Sequence, residues 1–411
     1  MNRRPTPASK PRVLIMTTSP LALWALFQTQ ILHLAEQGFE VQTISAPGRE
    51  LDQCRANTGK VMHAIPIRRQ MSPWADLISL ALVWRLVRRL RPDILQTHTP
   101  KAGLLGMIAA SLAGIRVRVY TMNTLVLLTR RGWRRRLLAS TEWLACALAT
   151  DVLCVSHSLR KVVVDLGLCP PGKIRTLGYG SSHGVDLTKF DPDGRAADRV
   201  RTRQRYGIPP DALLLGYAGR IVRDKGIEEM ALAWRALREE FADLRLLLCG
   251  AFEADDAVSA ETVRLLRNDA RVHLTGDFVS DMPAIYAAID LGVLPSRREG
   301  FGNLALECAA MKIPMVATRI PGCLDSVQHG VTGLLVEPQD PAALVQGLRR
   351  LLRDPELRRR MGVSGRQFAA ARFSDRHVSE LLAAEFRRLL YARRPTLFET
   401  GHGVQTDSWQ S

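Results

Sequence analysis

The stretch Leu291-Gly-Val-Leu-Pro295-Ser296-Arg297-Arg298-Glu299-Gly300-Phe301-Gly302-Asn303-Leu304-Ala-Leu-Glu307 changes character twice. It opens on a short, continuous apolar run, the pattern of a strand covered on both faces by helices. It closes on a helical segment over residues 304–311. The loop between them carries two glycines, which let backbone come close to a ligand. It also delivers the free N–H groups of a helix start, which can hold an anion. Glu299 falls on the loop and Glu307 two turns further on, and carboxylates accept hydrogen bonds well from the paired hydroxyls of a ribose or hexose. The competing reading is a capped helix with solvated glutamates. The glycine content of the loop and the apolar residues flanking Glu307 tell against it.

Working outward, the same strand–loop–helix unit recurs. In the carboxyl half, strand-like runs at 213–218, 244–250, 271–275 and 314–318 alternate with helical segments at 226–240 and 281–288. In the amino half, runs at 12–18, 40–45, 93–98, 116–121 and 151–156 repeat the plan, with a helix expected over 21–37 and stopped by Gly38. Alternating strands and helices imply right-handed crossovers and parallel sheets. The expected fold class is therefore α/β, with two doubly wound, Rossmann-like domains facing across a cleft. The composition shifts place an amino-terminal domain at 11–190, a polar linker at 191–210 and a second domain at 211–373. A helix at 374–392 and a mobile tail at 393–411 follow.

Ligands of such folds sit beyond the carboxyl ends of the strands, and three further loops lie there. Gly219-Arg220-Ile-Val-Arg223-Asp-Lys225-Gly226 offers a planar guanidinium fork and a point charge to one phosphate pair. Such pairs are common on surfaces, but this one gains weight beside Glu299 and Glu307. Thr97-His98-Thr99-Pro100-Lys101 sets a histidine and a lysine at a strand end, and makes His98 more than a satisfied structural residue. Gly178-Tyr-Gly-Ser181-Ser-His183-Gly184 reads first as a tight turn near the hinge, from which Ser181 can also touch a ligand.

The chain carries a net charge of +17 on 411 residues, and the excess is lopsided. Residues 1–190 hold 26 Lys and Arg against 10 Asp and Glu, and the remainder is nearly balanced. The first half therefore faces something anionic. Arginine mixes there with tryptophan and leucine, around Trp84 and Arg88 and around Arg131, Trp133, Arg134 and Arg135. That is the composition of a helix lying on anionic lipid, although 49 Arg against 8 Lys also fits an arginine-rich proteome with solvated helix faces. Seven cysteines with no C-x-x-C pair read as reduced core thiols of a cytoplasmic protein. No run is apolar enough to span a membrane. No G-x-G-x-x-G follows the first strand and no P-loop occurs, against a simple dinucleotide oxidoreductase or P-loop kinase. No metal-ligand spacing and no nucleic-acid-binding signature appears.

The Glu299-x7-Glu307 pair in its EGFGN setting, the Gly219-Arg220…Lys225-Gly226 motif and the strand order resemble the retaining glycosyltransferases of family 4, with GT-B fold. The likeness runs from about residue 12 to 391. The segments HTPKAG (98–103) and GYGSSHGVDLTKF (178–190) are similar to bacterial members that build capsule, O-antigen or exopolysaccharide repeats on polyprenyl diphosphate. The resemblance implies that Arg220 and Lys225 bind the donor diphosphate, with Gly219 at the turn. Glu307 would hold the ribose and Glu299 the transferred sugar. The backbone of Gly300, Phe301, Gly302, Asn303 and Leu304 would meet sugar and phosphates, with the base near Asp277, Phe278 and Val279. His98, Lys101 and Ser181 would face the acceptor. The last helix would return to the first domain. Two departures fall in the acceptor half. Asn123 stands where the family often has a histidine facing the sugar, and Thr17-Thr18-Ser19-Pro20 replaces a glycine-rich turn.

The expected function is a retaining transfer from a nucleotide-sugar, UDP before GDP, to a polyprenyl-diphosphate-linked glycan in surface polysaccharide synthesis. The expected place is the cytoplasmic face of the inner membrane, bound peripherally. No cofactor, metal or nucleic acid is expected. The alternatives are a sugar-nucleotide 2-epimerase of similar fold and a non-catalytic membrane- or nucleic-acid-binding protein.

Overall fold

Runs rich in Val, Leu, Ile and Met pair into two separate sheets. The computed structural model describes residues 10–393 apart from 69, 71 and 278, so Phe278 and the tail expected at 393–411, beyond Arg393, lie outside the described residues. The first sheet contains β1 (Arg12–Met16), β2 (Glu40–Ser45), β3 (Val61–Ala64), β4 (Ile94–His98), β5 (Val117–Met122), β6 (Asp151–Cys154) and β7 (Ile174–Arg175), in the order β3-β2-β1-β4-β5-β6-β7. The second contains β8 (Leu213–Ala218), β9 (Leu244–Cys249), β10 (Val272–Leu274), β11 (Leu291–Leu294), β12 (Met315–Thr318) and β13 (Gly333–Val336), in the order β10-β9-β8-β11-β12-β13.

Every pairing within these sheets is parallel. Each connection must therefore cross over through a helix, and both sheet faces are covered. Strand β4 is buried at all five positions, although its last three residues, Gln96, Thr97 and His98, are polar; Gln96 Nε2 donates to Thr121 Oγ1 at 2.9 Å. The order reverses once in each sheet, between β1 and β4 and between β8 and β11. Such reversals open a crevice at the carboxyl ends of the strands.

The last helix, Asp375–Arg393, leaves the second sheet and closes the core of the first. Leu382, Phe386, Leu389 and Leu390 are buried with Val13, Ile15, Ile31 and Leu34, and the Phe386 ring lies 5.9 Å from that of Phe39. Full burial of each such side chain contributes roughly 1.5–3 kcal/mol. The chain recrosses the hinge beside its first passage. Val185 N–H donates to the Phe373 carbonyl at 2.8 Å, and Asp375 N–H to that of Val185 at 3.1 Å.

Two expectations need correction. The linker drawn at 191–210 contains a helix, Ala196–Arg205, docked on the second sheet's Met282–Ala288 helix. Its Arg203 is buried, and forks onto Asp290 at 2.8 Å and onto the carbonyls of Ala288 and Ala212. A charged pattern looked like linker because its charges are satisfied internally. The single helix expected over 21–37 is instead a short turn, Pro20–Ala22, a wide π segment, Leu23–Phe27, and a helix, Gln28–Glu36. The inserted residue of a π turn re-aims the side chains after it, and Phe27 comes to rest on the His98 ring at 4.5 Å.

Candidate functional site

At the β8–β11 reversal the two motif loops lie against one another. Gly226 adopts a left-handed φ of +70°, and a Cβ there would stand 1.9 Å from the Pro295 carbonyl oxygen. Only glycine lets the loop after β8 rest on the end of β11. Beside this crossing, Lys225 Nζ meets Glu299 Oε1 at 2.5 Å, and Ser296 Oγ donates to the same oxygen at 2.7 Å. One residue earlier on each loop, Asp224 pairs with Arg298. Two adjacent ion pairs thus staple the loops. Burial works to raise the Asp224 carboxyl, but Arg298, Lys225 and Arg220 outweigh it and hold that carboxyl below its usual range. Arg220 lies at the rim, half-buried, 3.1 Å from Glu253 and 3.9 Å from Asp224.

The helix Asn303–Ala310 opens at Gly302 with no side-chain cap, so its first N–H groups remain available to an anion. Glu307 sits on this helix and accepts a hydrogen bond from the Tyr286 hydroxyl. Burial pushes its carboxyl up to about 7, with the Tyr286 bond pulling the other way. The charged form, the one that accepts hydrogen bonds at both oxygens, is therefore lost as pH falls through about 7. Affinity for a ligand held through a diol at Glu307, measured by titration calorimetry across pH, should drop up to tenfold per unit below that point. Tyr286→Phe removes the hydrogen bond that favours the carboxylate, and should move the break upward. A profile flat from pH 5 to 8 would contradict the assignment of Glu307.

Across the cleft, β4 and β5 end in His98 and Asn123. Asn123 Nδ2 donates to His98 Nδ1 at 3.3 Å, which leaves the ring proton on Nε2. That nitrogen, and Asn123 Oδ1, are buried without a hydrogen-bond partner. Burial pushes the His98 imidazole down to about 4, so it is neutral at physiological pH. His183, half-buried on the far side of Phe27, is likewise pushed down to about 4.

The lobes touch directly at this site. Arg298 reaches over with NH1 to Thr124 Oγ1 at 2.6 Å. Ser156 Oγ donates to the Gly300 carbonyl at 2.7 Å. Asp325 accepts from the N–H of His157 at 2.9 Å, at the start of the His157–Asp165 helix, where a carboxylate is favoured by the helix dipole.

The structure brings Lys225 and Glu299 together, with Arg220 beside Asp224 at the rim. Gly300, Phe301, Gly302, Asn303, Leu304 and Glu307 follow on the same loop and helix, and Gly300 lies against the backbone of Asn123, whose side chain bonds His98. Gly219 ends β8; Asp277 is exposed and Val279 half-buried beyond β10. Two acceptor candidates are engaged locally. Lys101 is held by Asp76 at 2.8 Å and by the Gln70 carbonyl. Ser181 Oγ accepts from Gly184 N–H at 3.0 Å inside its own turn. Of the residues expected at a membrane, Arg88, Arg131, Trp133, Arg134 and Arg135 are exposed, but Trp84 packs against the core under Arg88. Sequence reading missed Asp224, Thr124, Tyr286 and the cross-lobe arm of Arg298. Arg298 and Asp224 each had a signal, their place in the quoted motifs; Thr124 and Tyr286 had none. Among the described residues no group of three or more His, Cys, Asp or Glu is arranged to hold a metal, and all seven cysteines are buried and free.

Residues 27–188 match the family described as Glycosyltransferase Family 4, and residues 212–354 the family described as Glycosyl transferases group 1. The capsular polysaccharide biosynthesis glycosyltransferase CapM of Staphylococcus aureus is 32% identical over 365 residues, 89% of this chain and 94% of that one. A D-inositol 3-phosphate glycosyltransferase of Saccharomonospora viridis is 30% identical over 75% of this chain and 72% of its own length. Among solved structures, sucrose-phosphate synthase from Thermosynechococcus elongatus superposes with TM-score 0.77 at 20% identity, over 93% of this chain and 100% of that chain. Anabaena Alr3699/HepE, crystallised with UDP-glucose, superposes with TM-score 0.75 at 20% identity, over 92% and 99%. At such identities the structures speak to the fold, which is GT-B.

Proposed function

The chain belongs to glycosyltransferase family 4, and from that premise we propose that it moves a sugar, with retention, from a UDP-sugar to a polyprenyl-diphosphate-linked glycan of a surface polysaccharide. The cytoplasmic face of the membrane is the proposed place of the reaction. The observation that carries this reading is the Lys225–Glu299 pair at 2.5 Å, at the reversal of the second sheet and one residue from Gly300, which lies against the Asn123 backbone of the first lobe. The name of the S. aureus relative supports capsule synthesis, and the UDP-glucose bound to the Anabaena protein supports UDP.

In this reading Lys225 and Arg220 take the diphosphate and neutralise the charge that grows on it as the C1–O bond breaks. Glu307 holds the ribose diol and Glu299 the hydroxyls of the sugar. The uridine lies beyond β10, by Asp277 and Val279. The acceptor hydroxyl attacks C1 from the leaving-group side. Its proton passes to the departing phosphate, and UDP leaves. His98 acts as a neutral donor through Nε2 and Asn123 as an acceptor through Oδ1, positioning hydroxyls rather than shuttling protons.

The test is incubation of the purified chain with UDP-sugars and a short-chain polyprenyl-diphosphate glycan, with the anomeric configuration of the product read by NMR. Inverted product, or none with any UDP-sugar, would refute the reading. A control without acceptor separates the 2-epimerase alternative, which would convert the donor alone.

Arg298 joins both motif loops to Thr124, so it should matter to turnover more than to donor affinity. Arg298→Met is expected to lower kcat by about ten- to a hundredfold, the loss of charge-assisted hydrogen bonds, with the UDP-sugar Kd nearly unmoved. Equal losses in both would show that Arg298 is a donor ligand instead.

A further inference from the structure

Three adjacent helices, Pro73–Leu90, Pro100–Leu112 and Gly132–Leu148, cover one face of the first sheet and share its core. The first has two apolar faces. Val83, Leu86 and Val87 point inward and are buried. Trp74, Leu77, Ile78 and Leu82 follow the helical repeat on the opposite side and are 82%, 57%, 61% and 36% exposed. Arg85, Arg88 and Arg89 continue that outer face. On the Gly132–Leu148 helix, Trp133 and Trp143 stand out at 68% and 55% exposed. Among the described residues, these two and Trp74 are all the exposed tryptophans.

The charge on this surface has one sign. Each outer helix carries a single carboxylate, and neither is offered to a partner. Asp76 holds Lys101 at 2.8 Å, and Glu142 is buried under the Tyr120 hydroxyl at 2.7 Å. Arg131, Arg134, Arg135 and Arg136 surround Trp133 and are exposed. A second copy of the chain would set arginine against arginine here. A layer of anionic headgroups over hydrocarbon matches both the charge and the tryptophans.

We propose that the outer faces of these two helices are a bilayer-docking surface, entered by Trp74, Leu77, Ile78, Leu82, Trp133 and Trp143 and fastened by the flanking arginines to anionic lipid. Helices run antiparallel to the strands they follow, so Trp74 and Trp133 lie at the cleft end. There Arg130 reaches Asp256 of the second lobe at 3.7 Å, and Gln70 reaches Asp255 at 3.2 Å. The surface rests on the proposed transfer reaction for its purpose: it brings the mouth of the cleft to the headgroup layer, where a lipid-linked acceptor emerges.

The full chain should float with vesicles of mixed phosphatidylcholine and phosphatidylglycerol, less so at high salt, and not with phosphatidylcholine alone. Arg134→Gln with Arg135→Gln and Arg136→Gln should weaken binding about a hundredfold. Trp74→Ser with Ile78→Ser, which keeps the charge, should weaken it by more than about tenfold. Absence of binding, or variants that bind like wild type, overturns the proposal. So does a lipid-free dimer that the Trp74→Ser variant dissolves. A UDP thermal shift on every protein keeps the two readings apart. UDP stabilisation without vesicle binding removes only the docking surface, whereas vesicle binding without stabilisation by any nucleotide removes the donor site.

Discussion

Lys225→Ala is expected to lower turnover by about a hundred- to a thousandfold, the cost of removing one preorganised stabiliser of developing charge. Lys225 precedes Gly226, where the loop after β8 rests on the end of β11, and its ammonium is held by Glu299 at 2.5 Å. In the proposed site, truncation would remove positive charge where the leaving diphosphate develops its own. It also leaves Glu299 with the Ser296 hydroxyl as its partner, free to swing. Lys225→Arg should rescue poorly, because a planar fork cannot replace a point charge in so short a contact. Initial rates with saturating UDP-sugar measure the effect. A Lys225→Ala protein within tenfold of wild type would sink the donor-site assignment.

Gly300→Ala is expected to abolish transfer by a different route. A Cβ at position 300 would stand 1.5 Å from the Asn123 carbonyl oxygen and 2.6 Å from its carbon. Those atoms are backbone of the other lobe, so no side chain can turn aside, and Asn123→Ala would give no relief. The lobes must part by more than an ångström. Misplacement on that scale costs about a hundredfold when reacting groups must meet. The clash falls on one loop contact between the lobes and on no strand or helix interior, so UDP affinity should fall far less than kcat. A fully active Gly300→Ala protein would mean that the lobes react without this contact.

The reversal of the second sheet was legible because each of its two motifs follows a short, largely apolar strand, at 213–218 and 291–295. The return of the last helix was implied by resemblance, and its physical signal is plain afterwards: Leu382, Phe386 and Leu389 repeat with helical spacing after the second sheet is finished. Strands β3, β7 and β13, all at sheet edges, escaped reading: Val61 is exposed, β7 is two residues long, and β13 is only the four residues Gly-Leu-Leu-Val. Lys101 was misread because its partner, Asp76, lies on another helix that spacing alone cannot bring near. The same holds for Thr124 under Arg298. Burial of Glu307 was foreseen from its apolar flanks, whereas the Tyr286 hydroxyl that bonds it comes from a different strand–helix unit.

The helix Asp375–Arg393 has a consequence for synthesis. Arg387 bonds Gln37 across 350 residues of chain, and the groove that Phe386 fills belongs to the lobe translated first. That lobe emerges from the ribosome with an open greasy seam, which only residues 382–390 can seal. Contacts of such long range are slow to form, so nascent chains must be shielded from clumping until the second lobe has been made and its trailing helix has swung back.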